Sequence, residues 1–391
     1  MNSKVLPINR YLPILDNVIK FSLIGVAAFS LFSISLTQIC VVVGALCWII
    51  KASATHSWSN VKSPLGYSFL FFFGACVLAV LFSGDIMHGL SGLKKMLLAI
   101  VFFWAVNCID NRNQNLILKV LFTSALIAAS YGFYQAFSAG ISEESRVDGT
   151  MSIYMTFAGV LMLVLLMALS RLLFYSLKDP FAIAVLVSLT ACLFFTLTRQ
   201  AWLGVLMGGV FLIFVREKKF LLALPFFVAI AIALSPAAVK ERIYSMANLK
   251  DRTLGIRMQL WAGGWEIFKD SPLIGCGFKC VDRVFPKYPE HAEILKRYRG
   301  LHNNFIQLAV DVGFLGLSAW MSIWILFFLE IYRRKPPPGD ETRWIYFGSA
   351  AAAIGFLSGG FFEVNFYDSE VVMLMYFLMA MPFAVKKLNS G

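Results

Sequence analysis

Residues 154–173 read YMTFAGVLMLVLLMALSRLL, with one charge, Arg171, placed near the end of the run. A bilayer crossing needs about 20 consecutive apolar residues. Runs of this kind recur along nearly the whole 391-residue chain. Hydrophobic residues make up 59% of it and charged residues only 14%, against about 25% in soluble domains. Mean hydropathy is +0.75. These values exclude a water-soluble enzyme. They exclude a disordered or nucleic-acid-binding chain too, despite a formal net charge of +12. The runs are unbroken and lack ten-residue alternation, which selects helices over a β-barrel. The expected fold class is all-α: a polytopic membrane helical bundle of about twelve transmembrane helices with one long loop.

The twelve expected spans lie near 18–33, 35–50, 66–83, 92–109, 116–137, 154–173, 182–198, 200–215, 220–236, 302–331, 343–362 and 368–385. The first two are short for a crossing, so they are read as a tight hairpin or as incomplete spans. The chain divides into N-terminal helices over 1–236, a long polar loop over 237–301 and C-terminal helices over 302–391. The start, MNSKVLPINRYLPILDNVIK, is polar, and no small-residue cleavage site follows the first apolar run. No cleavable signal peptide is expected. Cys40, Cys47, Cys76, Cys108 and Cys192 fall in apolar runs and read as small buried hydrophobes. Cys276 and Cys280, in the polar loop, could form a disulfide or stay reduced.

Lysine and arginine in short loops set orientation. With a cytoplasmic N-terminus, eighteen fall on the inner side, including Lys4, Arg10, Lys386 and Lys387, and four on the outer side. Both termini then come out cytoplasmic, and 237–301 lies outside. The four exceptions, Lys94, Lys95, Arg146 and Arg199, carry charge where topology does not want it. Arg199 sits between two apolar runs in ACLFFTLTRQAWLGVLMGG (191–209) with almost no loop. A cation there is costly unless it faces a cavity or snorkels to the headgroups. Lys94 and Lys95 start a helix, the wrong end for the helix dipole. Contact with lipid phosphate is the plain alternative for them, and a local salt bridge with Glu143, Glu144 or Asp148 is the plain alternative for Arg146.

The long loop holds twelve Lys/Arg against seven Asp/Glu, so it suits an anionic neighbour. Within GIRMQLWAGGWEIFKDSPLIGCGF (255–278), Arg257, Trp261 and Trp265 share one helix face. A surface Arg–Trp stack is the bland reading of Arg257. Pro272 stops the helix, and Gly275 and Gly277 let the chain turn. GLHNNFIQLAVDVGFLGL (300–317) carries the loop back into the membrane. His302 there is a natural base near neutral pH, or simply an interfacial residue. Asp311, nine residues on, points to the other side of the helix, so the two form no dyad and Asp311 is assigned to packing. Glu363, Asp368 and Glu370 form no familiar metal-ligand set, and there is no P-loop and no GxSxG motif. A phosphate handled here would be handled by arginine.

TRQAW (198–202), RMQLW with SPLIGCGF, and above all LHNNFIQLAVDVGFLGL resemble the O-antigen ligase/O-antigen polymerase superfamily of bacterial inner-membrane glycosyltransferases. The match covers about 250–320, with 196–204 added. The family more often has Glu where Asp311 stands. The resemblance implies metal-independent, inverting transfer of a glycan from an undecaprenyl-pyrophosphate donor to an acceptor hydroxyl at the periplasmic face, with no cofactor. Arg199 and Arg257 match the family's pyrophosphate-binding arginines, and His302 matches its essential histidine. The misplaced charges of Arg146, Lys94 and Lys95 add them as substrate-binding candidates. The ligase branch, with lipid A core as acceptor, is the first expectation. A polymerase, a protein glycosyltransferase and a twelve-helix transporter are the alternatives.

Overall fold

A computed structural model describes residues 11–245 and 252–384. Lys4, Arg10, Lys386 and Lys387 of the topology count lie outside the described residues, as do the two termini. The described residues contain helices and no strand. In chain order they are α1 (Leu12–Phe29), α2 (Ile34–Ala54), α3 (Gly66–Leu81), α4 (Ile86–Leu93), α5 (Ile100–Cys108), α6 (Asn111–Ala139), α7 (Tyr154–Phe174), α8 (Pro180–Phe195), α9 (Arg199–Arg216) and α10 (Leu224–Leu234). There follow α11 (Ala237–Tyr244), α12 (Arg252–Asp270), α13 (Val281–Val284), α14 (Ala292–Tyr298), α15 (Asn304–Arg334), α16 (Arg343–Gly359) and α17 (Ser369–Ala384).

Every expected span carries helix, so the polytopic bundle stands. Seven segments are long and apolar enough to cross a bilayer, and three shorter apolar helices (α3, α8, α17) accompany them. The details depart from expectation at three places. The first two helices run 18 and 21 residues and both qualify as spans. The expected span 220–236 yields only the 11-residue α10, preceded by a 3₁₀ turn at Lys218–Ala223. At 1.5 Å per residue that helix covers roughly half a bilayer. The expected helix 92–109 is broken, because Lys94–Ala99 is a 3₁₀ turn between α4 and α5. Lys94 and Lys95 therefore sit inside a span rather than at a helix start.

α7 lies at the centre. Its residues 156–168 are all buried, as befits a helix apolar on every side. α9 and α16 flank it through small residues. A Cβ on Gly204 would lie 2.7 Å from the Gly355 carbonyl oxygen, and one on Gly208 would lie 2.8 Å from that of Ala351. Both pairs repeat at four residues, the spacing that lets membrane helices approach backbone to backbone. Thr156 and the Asp368 carboxylate meet at one end of this core, while Ser170 donates to the Trp344 carbonyl at the other. The bundle thus has two distinct ends.

α15 is two helices in one. Gly313 has φ 67° and ψ −173°, outside the helical region, and the helix opens there. The freed backbone groups are taken up by the loop after α12. Cys276 and Gly277 amides donate to the Val310 and Asp311 carbonyls at 3.0 and 2.9 Å. Phe314 and Leu315 amides donate to the Pro272 and Leu273 carbonyls at 2.8 and 3.1 Å. Gly275 and Gly277 turn with φ 71° and 91°. Helix α12 ends at Asp270, two residues before Pro272, as the sequence indicated. Cys276 and Cys280 are joined by a disulfide within this loop. Of the remaining cysteines, Cys76 and Cys192 are buried and the others partly buried.

Only glycine fits at 313. Its Cβ would lie 2.3 Å from the Leu273 carbonyl oxygen, in a region of φ/ψ that L residues avoid. Gly313→Ala should lower stability by about 2–5 kcal/mol, combining strain and overpacking. Gly74→Ala, where a Cβ meets nothing within 4 Å, should leave it unchanged or raise it by up to about 1 kcal/mol. Thermal unfolding of the detergent-solubilised variants checks the pair; equal melting points would mean the opened helix does not hold the loop.

Candidate active site

The HNN motif ties two chain segments together. Asn303 caps α15, its Oδ1 accepting from the Phe305 and Ile306 amides at 2.8 and 3.1 Å. Its Nδ2 donates to the Phe361 carbonyl at 3.0 Å. Asn304 is fully buried. Its amide donates to the Gly360 carbonyl, its Nδ2 to Asn365 Oδ1, and its Oδ1 accepts from the Phe366 amide. A Cβ on Gly360 would lie 2.3 Å from Asn304 Nδ2, so this approach requires glycine. The two asparagines fix the turn 360–368, and that turn carries Glu363.

His302 stands just before this cap with φ 45°, an unusual backbone for a side chain with a Cβ. Its Nδ1 faces the Glu363 carboxylate at 3.2 and 3.3 Å. Glu363 Oε1 also accepts from the Val364 amide. A carboxylate on Nδ1 holds the proton on that nitrogen and leaves Nε2 as the lone-pair site. The histidine side chain keeps 27% of its surface exposed, so it can reach a substrate. The Tyr298 ring stands edge-on beside it, 6.0 Å between centroids.

Asp311 is fully buried and bonds elsewhere. It accepts from the Tyr367 hydroxyl at 2.7 Å and from Gln307 Nε2 at 3.1 Å. Gln307 Oε1 accepts the Leu301 amide. Burial and the neighbouring Asp311 carboxylate push the Tyr367 phenol well above its ordinary range, so it stays a donor. Asp311 is thus a packing and hydrogen-bonding node, with no role beside His302, in keeping with the helical spacing.

The cations surround this centre in different ways. Arg257 lies over the Phe362 ring at 5.7 Å, one residue from Glu363. Trp261 meets the same ring at 6.0 Å and donates its indole N–H to the Leu301 carbonyl. The shared face of Arg257 and Trp261 therefore exists, but the arginine stacks on phenylalanine rather than on tryptophan. Trp265 instead pairs with Phe268 and is exposed. Arg199 is the first residue of α9, half-buried, and its guanidinium donates to Ser245 Oγ at 3.3 Å. Its neighbour Gln200 lines a cavity of about 110 Å³ together with Thr156, Glu363, Asn365 and Asp368. Through Thr156, Val364 and Asp368 this cavity adjoins a chamber of about 370 Å³ whose wall holds Lys95, Tyr367 and Glu370. Lys95 donates to the Tyr367 carbonyl and lies over that ring. Lys94 points away and is exposed.

Arg146 sits over the Tyr154 ring at 4.6 Å and donates to the Glu143 carbonyl at 3.1 Å. The expected carboxylate pairing does not form. Glu143 instead pairs with Arg242, and Asp148 accepts from Gln135. Sequence reasoning examined Glu363 only as a metal ligand and passed over its part beside His302. The usable signal was FFEVNFYD (361–368), a polar cluster in a short turn between two apolar runs, opposite the HNN motif.

Residues 182–321 match the family model described as O-antigen ligase. The chain is also 24% identical over 303 residues, 71% of its length and 75% of the relative's, to a protein of Haemophilus influenzae that is itself uncharacterized. The matched stretch contains Arg199, Arg257, His302 and Gly313, and it supports the resemblance of this membrane chain to the O-antigen ligase superfamily.

Proposed function

We propose that the protein is an O-antigen ligase, a glycosyltransferase moving a glycan from undecaprenyl pyrophosphate to a lipid A core sugar. The observation that carries this is the His302–Glu363 pair set in the turn that Arg257 overlies, with Arg199 beside the adjoining cavity. His302 Nε2 removes the proton from the acceptor hydroxyl. The oxygen attacks the anomeric carbon as the bond to the pyrophosphate oxygen breaks on the opposite face, which inverts the centre. A positioned base of this kind contributes about 10²–10⁴-fold. The leaving pyrophosphate gains charge, and Arg199 and Arg257 stabilise it, with Arg146 and Lys95 as further contacts. Lys94, which points outward, is assigned to lipid phosphate at the rim. No metal or other cofactor enters this scheme. The positive-inside bias supports a membrane placement with cytoplasmic termini and the site at the outer, periplasmic face of a bacterial inner membrane.

The test is a reconstituted transfer assay. Purified protein is mixed with undecaprenyl-pyrophosphate glycan and lipid A core in the presence of chelator, and lipopolysaccharide size is followed. Growth of the donor glycan without transfer to core would assign the polymerase branch and keep the site. Neither product from a well-folded protein would favour a transporter.

Three variants divide the roles. His302→Ala should abolish transfer while donor binding stays near wild type; loss of binding would remove the base assignment. Arg257→Lys should cost about a hundred-fold or more in turnover, because a point charge cannot copy the guanidinium fork. Near-normal turnover would reduce Arg257 to packing on Phe362. Glu363→Gln should lower kcat about ten- to a thousand-fold with little change in donor KM, and Glu363→Asp should recover part of it. A matching rise in donor KM would place Glu363 in binding rather than in orienting His302.

A further inference from the structure

A large crevice lies at the end of the bundle opposite His302, and the transfer scheme leaves it idle. It encloses about 810 Å³ between the start of α1, the end of α2, the 57–62 loop and the start of α6. Four cations and two carboxylates line it: Lys20, Lys51, Lys62 and Arg112, with Asp16 and Asp110. Both carboxylates are already committed. Asp16 pairs with Lys51. Asp110 caps α6, accepting from the Arg112 and Asn113 amides at 2.9 and 2.8 Å, with Asn113 returning the bond in a capping box. Asn107 binds the Lys62 backbone on both sides, donating to its carbonyl and accepting from its amide, which fixes that residue on the wall. Among the described residues the side chains of Lys20, Lys62 and Arg112 have no partner. Three cations without a direct partner therefore share one crevice, whose net charge is about +2.

A second feature says what fills it. Trp48 lines the crevice and packs with Trp58 at 6.3 Å, an aromatic pair of the kind enriched where headgroups meet acyl chains.

We propose that this crevice binds the phosphodiester headgroup of an anionic glycerophospholipid. Basic pockets between transmembrane helices hold such headgroups, each cation adding about fivefold in affinity. The site is independent of glycan transfer and needs no residue of the His302 centre.

The experiment uses the full chain, purified and delipidated, with phosphatidylglycerol or phosphatidylcholine of equal chain length. Bound lipid is counted by native mass spectrometry. Wild type should retain phosphatidylglycerol in preference to phosphatidylcholine. Combined Lys20→Gln, Lys62→Gln and Arg112→Gln should weaken that retention by about fivefold per cation removed. Lys178→Gln, Lys218→Gln and Lys219→Gln, at the same end but outside the crevice, should retain it as wild type does. Equal loss in both sets would mean general attraction to that face and would overturn the site, as would undiminished retention in the crevice variant. Inorganic phosphate that binds alone at millimolar concentration and displaces the lipid would identify a free-phosphate pocket and overturn the lipid assignment. A thermal unfolding profile matching wild type certifies that the crevice variant is folded.

Discussion

A helix that opens in an apolar environment must find partners for the amides and carbonyls it releases, because lipid supplies none. α15 opens at Gly313, and the loop 272–277 supplies four hydrogen bonds to the exposed backbone. Much of the functional end follows from that exchange. It docks an otherwise polar loop onto a membrane helix and sets the direction of the first turns of α15. It also brings α12, with Arg257 and Trp261, against the turn that carries Phe362 and Glu363. Asp311 closes the arrangement from inside through Tyr367 and Gln307.

The histidine is held by a second layer of the same kind. Asn303 and Asn304 spend their side-chain amides on the Phe361 carbonyl, the Phe366 amide and the Asn365 side chain, so the position of Glu363 is set by the geometry of its own turn. A carboxylate placed that way costs little further side-chain entropy to orient an imidazole. This rigidity contrasts with the cations around it, which lie on aromatic rings or bond to hydroxyl and carbonyl oxygens. Arg146 and Arg257 rest on the Tyr154 and Phe362 rings, the stacked mode that a planar guanidinium favours.

Much of this was legible in the chain. Long apolar runs fixed the helical bundle, and Pro272 with Gly275 and Gly277 located the loop turn. Helical spacing separated Asp311 from His302. The breaks were not all legible. The Lys94–Ala99 turn looks apolar enough to continue a helix, and tertiary contact decides it, as Gly92 backs directly onto Phe278; α10 by contrast is bounded locally, by Pro225 in its first turn and Pro236 after its end. Gly313 inside an apolar run reads as ordinary helix because its partner loop is about 40 residues away in sequence. The pairing of Glu363 with His302 spans 61 residues, and no periodicity reports a contact at that distance. The plain alternative for Arg146, a local salt bridge, fails for a related reason: Glu143 and Asp148 bond to other elements.

The seam between 272–277 and 310–315 also divides the long loop into two classes of position with respect to change in length. Its bonds come in register on both strands, and the two glycines that allow it, Gly275 and Gly313, each have the other segment's backbone within 2.6 Å of a hypothetical Cβ. Adding or deleting one residue on either side would move every partner at once. The stretch between α13 and α14 carries no such pairing and can lengthen at little entropic cost. Homologous chains should therefore differ in loop length around 285–291 while the 272–277 segment keeps its residue count, because length can change there without disturbing the backbone that leads to His302.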